Sequence, residues 1–179
     1  MLRLLYVLSI IAFLMTGCNQ NKASVEEKAD STAAKKMDSV SYPYKAGYSS
    51  SFEIGKPESS KIVLDIWKAF EDNKLDDTKA LWADSVTLQF ENFTFHGSPD
   101  STIAGGKRDR AQYSSLIDSV DAWMPIHSTD RNEDWVAVWG REYSINKKGK
   151  KDTSDIHEIW MLRNGKVAYM SQYRAHRKR

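Results

Sequence analysis

The sequence predicts an α+β fold, a curved antiparallel sheet with helices packed on its concave face. Three observations carry this expectation. Apolar residues recur with helical spacing between residues 60 and 70, long strand-like runs fill the chain from residue 123 onward, and Asn164-Gly165 separates the last two runs. Helices followed by long antiparallel strands define an α+β domain, because the apolar face of such a sheet must be covered by something.

The elements follow in order. In "SSKIVLDIWKAFEDNKLDD", Ile62, Val63, Ile66, Trp67 and Phe70 share one helical face, and Ser59 or Ser60 can cap the start. "DDTKALWADS" reads as a short second helix with Leu81 and Trp82 inward. "VTLQFENFTFHG" alternates Val86, Leu88 and Phe90, then Phe93 and Phe95, which predicts a hairpin turning at Glu91-Asn92. The Gly, Pro and Ser content of "GSPDSTIAGG" predicts a loop. "KRDRAQYSSLIDSVDAW" predicts a third helix with Tyr113, Leu116, Ile117 and Val120 on one face. Strands are expected at 123–129, 135–145 and 155–162, with a charged loop "NKKGKKDT" between the last two. Asn164-Gly165 has the residues of a two-residue hairpin turn into a final strand at 166–174.

The segments before the domain have a different character. "MLRLLYVLSIIAFLMTGCNQ" has a positive start, a short apolar run and small residues before the chain's single cysteine, the pattern of a secretory signal over residues 1–17. "LMTGC" resembles the bacterial lipobox, with Met15 a less usual residue in it, and the resemblance implies lipidation of Cys18. The expected location is the bacterial cell envelope, on the periplasmic or outer-membrane face, with the protein secreted and held to the membrane through lipidated Cys18. Residues 18–41 are polar and poor in large apolar groups, so they read as a flexible tether. Residues 42–58 carry Tyr42, Tyr44, Tyr48, Phe52 and Ile54, and read either as an arm lying on the domain or as a disordered linker. The domain itself is placed at 59–174, followed by a basic tail at 175–179.

Composition narrows the function. The formal net charge is +2 over 179 residues, which gives no global basic field, so no nucleic-acid partner is expected. One cysteine excludes an intrachain disulfide and a multi-cysteine metal cluster. His96, His127, His157 and His176 have no metal-ligand spacing, and no phosphate-binding, dinucleotide-binding or nucleophile-elbow motif is present, so neither a metal nor a cofactor is expected.

"IWKAFEDNKLDDTKALWADSVTLQF", "GGKRDRAQY" and "HEIWMLRNGKV", in this order and spacing, resemble the nuclear transport factor 2-like cone fold. This cystatin-like architecture includes the SnoaL-like polyketide cyclases and the ketosteroid isomerases. The resemblance covers residues 60–173 and implies a cone with a cavity. The isomerases use a tyrosine on the first helix, an aspartate base on the strand after "ADSVT" and a protonated acid on the penultimate strand. These positions fall at Ile66, near Phe90 and at His157. Ile66 and Phe90 cannot move a proton, so the chain departs from the isomerases in chemistry.

Successive strand residues face opposite sides, so His157 and Glu158 cannot both enter one pocket. The register suggested by the resemblance turns His157, Ile159 and Met161 into the cavity, and Ile156, Glu158, Trp160 and Leu162 away from it. On the neighbouring strand it turns Val136, Val138, Gly140, Glu142 and Ser144 inward. His157 and Glu142 are then the candidate catalytic pair, with half-buried structural roles as the alternative. Ile66, Phe70, Phe90, Val138, Ile159, Met161 and Gln172 are the candidate ligand pocket, which would suit a small hydrophobic molecule. Trp135, Trp139, Tyr143 and Trp160 form a stripe on the opposite face, a candidate interface for the arm or for a homodimer partner. Small-molecule binding is the first functional expectation. A cyclase, isomerase or hydratase and a protein-interaction module are the others.

Overall fold

The computed structural model describes residues 40–177. The signal segment, Cys18, most of the tether and the last two residues of the basic tail lie outside the described residues. The compact unit that holds the sheet begins at Tyr44.

Seven strands form one curved sheet: β1 (Phe52–Ile54), β2 (Trp82–Gln89), β3 (Thr94–Gly97), β4 (Tyr113–Ser128), β5 (Glu133–Asn146), β6 (Lys151–Arg163) and β7 (Lys166–His176). Their order is β1-β4-β5-β6-β7-β2-β3, with every junction antiparallel except β2 against β7, which is parallel. That junction joins two strands remote in sequence, so no hairpin turn constrains their direction.

Helix α1 (Pro57–Glu71) starts on Pro57, whose missing N–H costs nothing in the first turn. Its buried stripe is Val63, Ile66 and Trp67. The helix stops at Asp72, and Asn73 follows in the left-handed region that Asn tolerates. A 3₁₀ helix, Leu75–Leu81, then leads straight into β2, so Trp82 opens a strand instead of ending a helix. The predicted β2–β3 hairpin is present, with the Phe90 N–H bonded to the Phe93 carbonyl across its turn.

Two elements differ from expectation, and they exchange places. The segment read as a loop forms helix α2 (Pro99–Arg110), and the segment read as a helix forms the first half of β4. Ser98 caps α2 by accepting from the Ser101 N–H, Pro99 and Asp100 suit the first turn, and Lys107, Arg108 and Arg110 suit the last. These termini outweigh the helix cost of Gly105-Gly106. Gly106 also serves packing, because a Cβ there would lie 2.8 Å from Leu75 Cδ1. In β4, Leu116 is buried on the inner face, while Ile117 is exposed on the outer one. Register shifts at Tyr113/Ser115 and Val120/Ala122 add bulges to this strand, which bend it.

The long strands are joined by turns that their residues dictate. Asn164 and Gly165 both have positive φ (51° and 71°), as a primed hairpin turn requires. The Asn146 side chain accepts from the N–H groups of Lys148 and Lys150 and closes the β5–β6 loop.

The aromatic-rich arm meets the sheet. β1 pairs with β4 through Ile54 opposite Ile126, and the Tyr48 ring stands edge-on to Trp135 at 5.8 Å, with its hydroxyl bonded to Glu133. Arg131 lies over the same ring, 4.0 Å from its centre.

The core lies between the inner sheet face and the helices. It contains Val63, Trp67, Val136, Val138, Trp160 and Leu162 among others.

Candidate functional site

Between the helices and the inner sheet face lies a cavity of about 650 Å³. One part of its wall is hydrocarbon and aromatic: Ile66, Phe70, Leu88, Phe90, Phe93 and Ile103. Phe90 and Phe93 stack with ring centres 4.6 Å apart. Another part is polar and comes from alternate residues of β4 to β7, with Asp118, Glu142, Glu158, Gln172 and Arg174 all lining it.

The pairing register explains this polar floor. Asp118 is opposite Glu142, and Glu158 is opposite both Val138 and Gln172, so all share the inner face. Arg174 reaches Glu142 with both terminal nitrogens, Nη1 to Oε1 at 2.6 Å and Nη2 to Oε2 at 3.1 Å. Glu142 is only 3 % exposed, so this bidentate ion pair is its means of being buried. Glu158 is held differently. It accepts from Trp67 Nε1 at 2.6 Å, Trp160 Nε1 at 2.9 Å and Gln172 Nε2 at 2.6 Å. Burial raises its carboxyl above the ordinary range, and these three donors pull the other way. Gly140 makes the Trp67 contact possible, because a Cβ there would stand 3.0 Å from the indole.

Asp118 has neither arrangement. No described group donates a hydrogen bond to it, and its carboxyl is pushed up to about 7, by burial first and by the charge of Glu142 second. Asp109 on α2 also lines the cavity, and burial raises it too, against the pull of Arg174. The Tyr113 hydroxyl is raised by burial and by the nearby Asp109 charge.

A stability prediction follows from Asp118. In the unfolded chain its pKa is that of an ordinary carboxylate, about 3.9. Between that value and about 7 the folded state holds the extra proton, so the contribution is full below the lower value and is lost as pH rises through the upper one. Asp118→Asn is neutral at every pH. It should match the parent near pH 4 and exceed it by on the order of 2 kcal/mol near pH 8, a figure reduced for water in the cavity. Urea unfolding at the two pH values checks this, and an Asn variant weaker than the parent at the higher pH would contradict it.

The structure divides the predicted site residues. Glu142, Ile66, Phe70, Phe90 and Gln172 line the cavity. Val138 is fully buried in the core beside it. His157 is not in the cavity: it is exposed on the outer face, its ring edge-on to Trp139 at 6.3 Å. Ile159 and Met161 lie on that outer face too, opposite Ala137 and Trp135. Trp160 makes the reverse correction, lining the cavity and belonging to no outer stripe. The reason is a single register: on β5 Val138 and Glu142 do face inward, but Val138 pairs with Glu158, so Glu158 and Trp160 share its face.

Trp135, Trp139 and Tyr143 do share the outer face. Trp135 is covered by Tyr48 and Tyr169, whereas Tyr143 remains 42 % exposed. Of the other histidines, His127 pairs with Asp134 at 2.8 Å, His96 contacts Thr87, and His176 contacts Asp152 at the cavity lining. Asp118, Asp109, Tyr113 and Arg174 were not among the sequence candidates. The signal for Asp118 was present in the alternation Leu116, Asp118, Val120, which a helical reading of the same residues hides.

No family model and no curated protein sequence matches this chain. Solved structures do resemble it. An NTF2-like protein of unknown function from Burkholderia pseudomallei superposes with a TM-score of 0.55 at 17% identity, covering 66% of this chain and 91% of that one. A putative SnoaL-like polyketide cyclase from Jannaschia sp. gives 0.55 at 15% identity, with 68% and 90% covered. An LEH-like epoxide hydrolase from M. tuberculosis gives 0.52 at 11% identity, with 66% and 83% covered. The fold is therefore the NTF2-like, SnoaL-like cone, an α+β architecture with helices on a curved sheet.

Proposed function

We propose that this chain is an envelope lipoprotein whose cone domain binds a small, largely hydrophobic organic molecule. The observation that carries the reading is the cavity of about 650 Å³ with an apolar, aromatic wall and a few ordered polar groups at its floor. Those polar groups would orient a ligand that the hydrocarbon wall retains. Anchoring would come from acyl chains on Cys18, supported by the lipobox-like "LMTGC". The purified protein is expected to gain melting temperature with a subset of a hydrophobic ligand panel, since a ligand at one hundred times its Kd adds about 2.7 kcal/mol. Leu88→Trp, which fills part of the cavity, should blunt that response. No shift across the panel would sink the binding reading. Labelling cells with a fatty-acid probe tests the anchor, and label surviving Cys18→Ala would rule it out.

A specific observation favours a second, enzymatic reading. Asp118 and Glu142 face each other across β4 and β5, one with a raised carboxyl and the other paired to Arg174. Two acids in unequal environments are what general acid–base chemistry requires. A cyclase and an epoxide hydrolase of this fold add support. Turnover of an epoxide panel that disappears in Asp118→Asn would favour this reading, and turnover unchanged in that variant would exclude Asp118 from it.

A further inference from the structure

Resting on the binding reading above, we infer that the cavity's ligand carries an amine, its ammonium group seated against Asp118 and Asp109 and its hydrophobic body against the phenylalanine wall. Two separate features of the cavity lead there: which of its charges are already matched, and what surrounds the unmatched ones.

Arg174 lines the cavity, but its terminal nitrogens are taken by Glu142. Glu158 accepts from three N–H groups and has no need of a cation. His176 is engaged by Asp152 at 2.7 Å. Among the described residues, nothing donates to the side chains of Asp118 and Asp109, which both line the cavity, Asp118 half-buried and Asp109 at its exposed edge. The Asp118 oxygens are unused acceptors in a partly desolvated place, where a missing partner is costly. A ligand N⁺–H would complete them, and a ligand carboxylate would meet a floor already rich in like charge.

The second feature is the wall. Phe70, Phe90, Phe93 and Phe95 line the same cavity, with Trp67 and Tyr113 beside them. Aromatic faces attract alkylammonium groups and also hold a hydrocarbon body, which a cavity built only to hold inorganic cations would not require. Among the described residues, the acids of the cavity do not converge as a metal-binding group of three or more. Arg108 also lines the cavity, from an exposed position on α2.

Matched ligand sets test this. Phenylbutylamine, phenylbutanol and phenylbutanoate share one skeleton, and decylamine, decanol and decanoate share another. Calorimetric titration of the full chain in detergent should give the amine at least about tenfold tighter binding than the alcohol of the same skeleton, with the carboxylate weakest. Asp118→Asn should remove most of the amine's advantage over the alcohol of the same skeleton, with Asp109→Asn as the second variant if the first changes the fold. Alcohols binding as well as amines would overturn the amine inference and leave the binding reading standing. An amine preference that survives both substitutions would overturn the assigned seat. Binding of neither skeleton in any of its forms would overturn both.

Discussion

Arg174→Ala is expected to destabilise the domain by about 3–5 kcal/mol, because it leaves Glu142 buried without a counter-charge. The guanidinium reaches Glu142 from two strands away, over Ile156, and contacts both carboxylate oxygens. Truncation removes the cation but not the cost of desolvating the anion. Asp118, directly opposite on β4, makes matters worse, since it adds a second acid with no donor of its own. The decisive control is the double variant Arg174→Met with Glu142→Leu. Replacing a buried ion pair by hydrocarbon of similar volume is often neutral, so the double variant should recover most of the loss. Urea denaturation measures both. A single variant that loses less than about 1 kcal/mol would mean that water, not Arg174, satisfies Glu142.

Glu158→Ala is expected to cost a comparable amount, about 3–5 kcal/mol, for the complementary reason. Here the acceptor is removed and three donors are left behind. Trp67 belongs to α1, Trp160 to β6 and Gln172 to β7, so the carboxyl group ties the first helix to two strands through groups that have no other partner among the described residues. Each orphaned buried donor costs roughly 1–3 kcal/mol, and the void adds to this. Glu158→Gln should fall between, since its oxygen can serve one or two donors while its amide nitrogen confronts another. Near-ultraviolet circular dichroism should change in both variants because two indoles lose their anchor. An Ala variant with parent-like stability and an unchanged indole signal would show that the network is not a structural tie.

How much of this could be read from the chain depended on local contrast. α1 was legible because its apolar residues make one stripe and its other faces are polar. The β2–β3 and β6–β7 hairpins were legible from Glu91-Asn92 and from Asn164-Gly165, whose backbone demands are local. The faces of β6 were not. Ile156, Trp160 and Leu162 point inward, while Ile159 and Met161 point outward, so both sides are apolar and hydrophobicity does not distinguish them. Only the pairing of Val138 with Glu158 decides, and that lies in the hairpin register, not in either strand alone. The α2–β4 exchange has a different cause. Tyr113, Leu116, Ile117 and Val120 satisfy a helical stripe, yet Ser114, Ser115, Ile117 and Ser119 are poor reasons for a helix, and Ser98-Pro99 is a good place to start one earlier. As a result Glu142 and Gln172 could be found in advance, whereas Asp118, Asp109 and the Glu158 network could not.

The bulge between Val120 and Ala122 has a consequence for how such a cavity changes over generations. Between Ser115 and the bulge, even-numbered residues of β4 face inward; after it, odd-numbered ones do. The far half of the strand is fastened by β1, through Ile54 opposite Ile126. Deleting the one extra residue would leave Val120 opposite Gly140 and Ala122 opposite Trp139, so Asp118 would stay against Glu142 and only the bend of the strand would be lost. The acid of the pocket is thus insulated from a codon lost at the bulge, whereas the curvature of the cone is not.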